Sequence, residues 1–116
     1  MHRAYVARLG IDPKYARETT PLSPSPANFE AGERLYEQSC ATCHGATGNG
    51  DGPAAKALDP RPAKLAGLGR VPMVSDGYLY WTIAEGEALV KSAMPPFKAA
   101  LGKDDIWKIV LFLRHL

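Results

Sequence analysis

The sequence predicts an all-α fold of three to five helices, and three observations carry that expectation. Apolar residues recur at helical spacing, most plainly at Ile106, Ile109, Val110 and Leu113, which stand at i, i+3, i+4 and i+7. No segment shows the period-two alternation of a half-buried strand. Glycines and prolines gather between the helical stretches and mark loops there. The chain has 116 residues and no internal repeat, so one core is expected.

Residues 1–27 form an N-terminal extension. Tyr5, Val6, Leu9 and Ile11 give weak helical spacing that Pro13 interrupts. Thr19 to Pro26 is a Pro/Ser-rich linker, extended and without a core of its own. By composition the extension is a surface tail or tether; the sharper alternative is a docking arm or a joint to another domain. Residues 28–116 form the second unit. Its first helix runs from about 29 to 42, with Asn28 as N-cap and Glu30 and Glu33 where the helix dipole favours acids. Four glycines between Gly45 and Gly52 then make a tight loop. Pro53 opens a short helix over 54–58, which Pro60 and Pro62 stop. Residues 63–74 are loop. Ser75 or Asp76 caps a helix that Gly86 ends. Residues 87–102 are irregular around Met94-Pro95-Pro96-Phe97, and the last helix spans about 103–115, acidic in its first turn and basic in its last.

Charge excludes some functions. The extension carries Arg3, Arg8, Lys14 and Arg17 against Asp12 and Glu18, while residues 28–116 hold ten basic and ten acidic side chains. A net charge of +2 gives no case for nucleic-acid binding. No run of 18 apolar residues is present, so no transmembrane helix is expected, and no apolar signal segment follows Met1.

The chemistry sits at Cys40-Ala41-Thr42-Cys43-His44, the pattern of covalent haem attachment. Each thiol can add to one haem vinyl group, and the next residue brings an imidazole to the iron. A zinc site needs more ligands than two cysteines and the distant His2 and His115 supply. A thioredoxin-like dithiol would stand in a βαβ pattern, which is missing. The cofactor expected is one haem c, bound through Cys40 and Cys43 with His44 on the iron. Met94 is the leading candidate for the second axial ligand, because Pro95 and Pro96 stiffen the loop after it. Met73, after Pro72, is the alternative ligand or a gap-filling side chain; His115 reads as a surface residue and His2 lies in the extension.

With those residues in view, the stretch from about Asn28 to Leu116 resembles class I c-type cytochromes, and among them the small bacterial monohaem type. Gly32 and Tyr36 precede Cys40 by eight and four residues, where that family crosses its N- and C-terminal helices, and Ile109 and Phe112 match the partner positions. A glycine there lets two helix backbones approach. The resemblance implies a cytochrome c fold around one covalently bound haem. It also implies that the Pro53 carbonyl, in Gly52-Pro53, accepts a hydrogen bond from His44 Nδ1 and so orients the imidazole. The middle is shorter than in mitochondrial members, and residues 1–27 match nothing in the family.

His/Met ligation raises the reduction potential relative to His/His and leaves no open position for a substrate. One-electron transfer between redox proteins of unidentified kind follows, rather than catalysis. Two readings stand: a shuttle, or a haem subunit or domain of a periplasmic oxidoreductase complex, joined to a catalytic partner through residues 1–27. A ligand sensor or peroxidase would need a labile Met94. Trp81 and Trp107 are core aromatics, or one indole N–H meets a haem propionate; Trp81 and Arg61 are the propionate candidates, Arg61 being also readable as a solvated loop residue. Lys56, Lys64, Lys91 and Lys98 either ring the haem edge or form an ordinary solvated face. Maturation chemistry of this type places the protein in the periplasm, with an export signal removed or the chain a fragment of a larger protein. It would work as a monomer or as a subunit.

Overall fold

Proline opens the first two helices among the described residues. In the computed structural model, which describes residues 13–59, 61–86 and 94–116, α1 is Pro13–Ala16 and α2 is Pro26–Ser39. α2 begins earlier than expected. Ser25, not Asn28, is its N-cap, and the Ser25 hydroxyl accepts the Asn28 N–H at 3.2 Å. Pro26 fits the first helical position because the N–H it lacks would have no helical partner there, and its φ is already helical. The sequence spacing of Tyr5, Val6 and Leu9, together with His2 and Lys91, lies outside the described residues.

Cys40 divides the expected helix over 29–42 in two. Its backbone leaves helical geometry at φ −122°, ψ −36°, and a separate turn, α3 (Ala41–His44), follows. The loop helix expected over 54–58 is a 3₁₀ turn at Ala55–Ala57, and a second 3₁₀ turn, Leu68–Arg70, interrupts the loop expected over 63–74. α4 is Asp76–Glu85, capped by the Ser75 hydroxyl on Tyr78 N–H at 3.1 Å and ended by Gly86. α5 is Lys103–Leu113. The described residues contain five α-helices and no strand, in line with the all-α expectation.

The core follows from two helices. α4 is apolar nearly all round and is buried along most of its length, as such a helix must be. α5 buries Ile106, Ile109 and Val110 almost completely. α2 lies against α5 so closely that a Cβ at Gly32 would fall 2.0 Å from the Lys108 carbonyl oxygen. Only glycine permits that approach. Around it Tyr36 and Phe29 pack on Phe112, with ring centroids 5.1 and 5.5 Å apart.

Residues 14–26, read from composition as a tail or tether, lie against these helices. Tyr15 is 6% exposed and its ring sits 5.8 Å from that of Tyr80. Thr20 N–H donates to Asp76 at 3.1 Å, and Leu22 packs on the core. Asp76 also pairs with Arg114 at 2.8 Å, whose guanidinium reaches the Gly69 carbonyl. Tyr15, Leu22 and the Thr20 N–H thus hold a segment whose composition carries no helical or strand signal.

Candidate functional site

The candidate residues among those described have definite places. α2 carries Cys40 to the edge of the core, where it is buried; one turn of α3 places Cys43 and His44, both half-buried. The two thiols are free. The turn is held by its own neighbours. Its C-terminal carbonyls would lack partners as at any helix end, and the glycine loop supplies them. Ala54, Gly52 and Gly50 N–H donate to the carbonyls of Thr42, Cys43 and His44 at 2.9, 3.1 and 2.8 Å. The Tyr36 hydroxyl donates to the Gly45 carbonyl just beyond. The sequence pointed to Tyr36 as a helix-packing aromatic; its second role at the turn carried no pattern.

His44 Nδ1 lies 2.8 Å from the Ala63 carbonyl oxygen. A carbonyl can only accept, so Nδ1 carries a proton and Nε2 is the nitrogen that a neutral ring offers to a metal. This corrects the detail implied by the resemblance. The orienting carbonyl is that of Ala63, not Pro53. Gly52 and Ala54, on either side of Pro53, are tied to Cys43 and Thr42, so the Pro53 segment clamps the turn's backbone while residue 63 reaches the ring.

Burial pushes the Cys40 thiol up to about 12, with the neighbouring Cys43 adding to the effect. A redox dithiol needs the opposite, a lowered thiol that is partly thiolate at neutral pH. Burial, then Cys40 and Asp51, likewise raise Tyr36 to about 12, so its hydroxyl remains a donor. Among the described residues no three His, Cys, Asp or Glu side chains gather as a metal-ion site of the zinc kind. Two free thiols at successive turns, one buried, beside an imidazole with Nε2 available, fit covalent haem attachment.

Met94 and Met73 differ sharply. Met73 is 89% exposed. Met94 is half-buried, and its backbone lies on the end of α4: a Cβ at Gly86 would be 2.7 Å from the Met94 carbonyl oxygen. Trp81 is buried in α4, and Trp107 packs on Tyr80 within the core, with ring centroids 4.5 Å apart and the planes tilted by 44°. Arg61, Lys56 and Lys64 are exposed; Lys98 is exposed but paired with Glu85 at 2.9 Å. His115 is exposed at the end of α5 and meets the Phe29 ring edge-on. A cleft of about 610 Å³ opens between α1, α4 and the start of α5, with Tyr15, Tyr80 and Trp107 in its lining; none of Cys40, Cys43, His44 and Met94 borders it.

No pattern in the sequence assigned a role to Glu85 or Tyr15. Glu85 receives the Tyr15 hydroxyl and the Lys98 ammonium. One signal was present: an acid in the last turn of a helix opposes the helix dipole and calls for compensation.

Residues 27–113 match the family described as cytochrome c oxidase, cbb3-type, subunit III. A solved structure of a reducing HAO-like protein complex from Kuenenia stuttgartiensis contains a similar chain, at 28% identity and a TM-score of 0.65. The match covers 82% of this chain and 46% of that one, so this chain spans about half its length. Cytochrome cL from the marine methylotroph Methylophaga aminisulfidivorans shares the fold at 23% identity and a TM-score of 0.55, over 97% of this chain and 63% of that one. No curated protein sequence matches the chain. Among the described residues no helix is long and apolar enough to cross a membrane.

Proposed function

The chain belongs to the cbb3-type cytochrome c oxidase subunit III family, a cytochrome-related family, and from that premise we propose that it is a haem c subunit or domain of a periplasmic redox complex. It relays single electrons and makes or breaks no substrate bond. The observation that carries this reading is the Cys40–His44 turn, with two free thiols and an imidazole whose Nδ1 is engaged by Ala63.

Haem c, when bound, supplies one-electron cycling of its iron. The residues around it hold, orient and shield. Cys40 and Cys43 hold the group through thioethers. Ala63 fixes the rotation of the His44 ring and, by accepting a hydrogen bond from Nδ1–H, raises its basicity toward metal. Met94 would supply the second ligand to the iron; its partial burial supports it over exposed Met73. His/Met ligation places the potential above that of a bis-histidine site. Trp81, buried in α4, and Arg61, on the loop before Ala63, are the propionate contacts in this reading, and Pro53 seals the turn's backbone. The domain division at residue 28, and the class I monohaem type with α2 and α5 as its crossing helices, belong to the same proposal.

The relay role is favoured over the free shuttle by the likeness to a chain of the HAO-like complex, of which this chain covers less than half. Purification from the native source under mild conditions tests it. Haem absorbance co-eluting with a larger catalytic subunit in gel filtration is the expected result. Recovery of all haem-bearing chain at the size of a 12.5 kDa monomer would favour the shuttle instead.

A further inference from the structure

Three attachments converge on the last turn of α4. Phe97 and Lys98 N–H donate to the carbonyls of Ile83 and Ala84 at 3.0 and 3.1 Å. The Met94-Pro95 backbone rests on Gly86, whose φ of +68° and missing Cβ both suit it to that place. The Glu85 side chain then gathers the Lys98 ammonium at 2.9 Å, the Tyr15 hydroxyl, and Lys14 at 4.0 Å. Lys98 lies four residues after Met94, while Tyr15 comes from α1, seventy residues before Glu85. α1 precedes the residues 27–113 that match the family, so this brace is a feature of this chain beyond the matched region.

Helix stability does not explain Glu85. At the C-terminus its charge faces the negative end of the dipole. The hydrogen bonds from Lys98 and Tyr15 hold its carboxyl below the usual carboxylate range, against the opposing effect of burial. Glu85 is therefore ionised at neutral pH and engaged on two sides. One side is the segment that carries Met94; the other is the buried ring of Tyr15, packed on Tyr80.

We propose that Glu85 is a positioning residue for Met94, and that α1, through Tyr15, is the brace that completes it. The proposal rests on the reading of Met94 as an axial ligand. With Glu85 engaged, the loop is anchored by backbone and side chain a few residues beyond the thioether, and less entropy is lost when Met94 is held. Released from Glu85, the loop gains freedom and Met94 leaves its place more often. A partner that grips residues ahead of Pro26 is thereby coupled to the sixth ligand.

The test is imidazole binding to the ferric holoprotein, which competes with Met94, followed by absorbance. Met94→Ala is the reference. Glu85→Ala should tighten imidazole about tenfold and Tyr15→Phe about threefold, in line with loss of hydrogen bonds to a charged group. Glu85→Gln, which keeps an acceptor for Tyr15, should fall between Glu85→Ala and the parent. Arg114→Ala, which removes the ion pair to Asp76 and the bond to the Gly69 carbonyl but leaves Asp76 to accept from Thr20, should lower thermal stability and leave imidazole affinity unchanged. If Met94→Ala tightens imidazole while Tyr15→Phe and Glu85→Ala stay within twofold of the parent, Glu85 does not position Met94 and the inference is overturned. If Met94→Ala itself has no effect, Met94 is not the ligand and both readings fall. Tyr15→Phe keeps the test open should Glu85→Ala fail to fold.

Discussion

The two sides of the candidate site are built by different means. The turn at Cys40–His44 is held by its own sequence neighbours: Tyr36 below it, Gly50, Gly52 and Ala54 folded back onto its carbonyls, Ala63 on its ring. The Met94 loop is tied to the nearby end of α4 and, through Glu85, to Tyr15 of α1, seventy residues before Glu85. Short loops cost less entropy to close than long ones, so the Tyr15–Glu85 contact, seventy residues apart, is what sets the methionine side apart. The thiols and imidazole thus sit in a frame closed by nearby residues, whereas the loop that carries Met94, the proposed second ligand, is reached by a contact from far along the chain.

The largest effect should come from removing the thiols. Replacing both Cys40 and Cys43 with alanine should abolish covalent haem, read as loss of haem stain on a denaturing gel; one replacement should leave a single thioether. Covalent haem surviving the double change would break the local account of the turn. Gly32→Ala comes next, because it strikes the α2–α5 contact on which both sides rest. A Cβ 2.0 Å from the Lys108 carbonyl forces the helices apart, at a cost of about 3 kcal/mol in thermal or denaturant unfolding. A cost below about 1 kcal/mol would mean that the helices yield easily there.

Tyr36→Phe separates the two sides. It leaves the Gly45 carbonyl without its donor and should cost about 1–2 kcal/mol. Amide exchange should quicken at Gly50 and Gly52 and stay unchanged at Phe97 and Lys98; equal acceleration at both would erase the distinction. The smallest effect is acid dependence at the methionine side. Glu85 has a folded pKa below its ordinary 4.5. Its stabilisation is therefore complete above 4.5 and is lost as pH falls through the depressed folded value. Melting temperature against pH should lose part of its acid limb in Glu85→Gln, and an unchanged limb would remove Glu85 from the account.

The same contrast explains what could be read from the chain alone. α4 and α5 were legible because burial imposes helical spacing on Leu79, Ile83, Ile106, Ile109 and Val110. Cys40, Cys43 and His44 were legible because their chemistry requires consecutive positions. The start of α2 was missed by three residues, since Ser25-Pro26 caps a helix as well as it makes a linker. Ala63 could not be found, because any residue offers a carbonyl and only the folded loop brings this one to His44. Tyr15 and Glu85 stand seventy residues apart, and nothing in a sequence pattern joins them.

The central claim is that Cys40–His44 holds one haem covalently. Its most direct test is the intact mass of the protein matured in an oxidising compartment with haem-attachment machinery, taken together with a pyridine haemochrome spectrum. The account predicts a mass raised by one haem, a c-type spectrum and no titratable thiol at Cys40 or Cys43. A mass equal to that of the bare chain, with both thiols free, would contradict it.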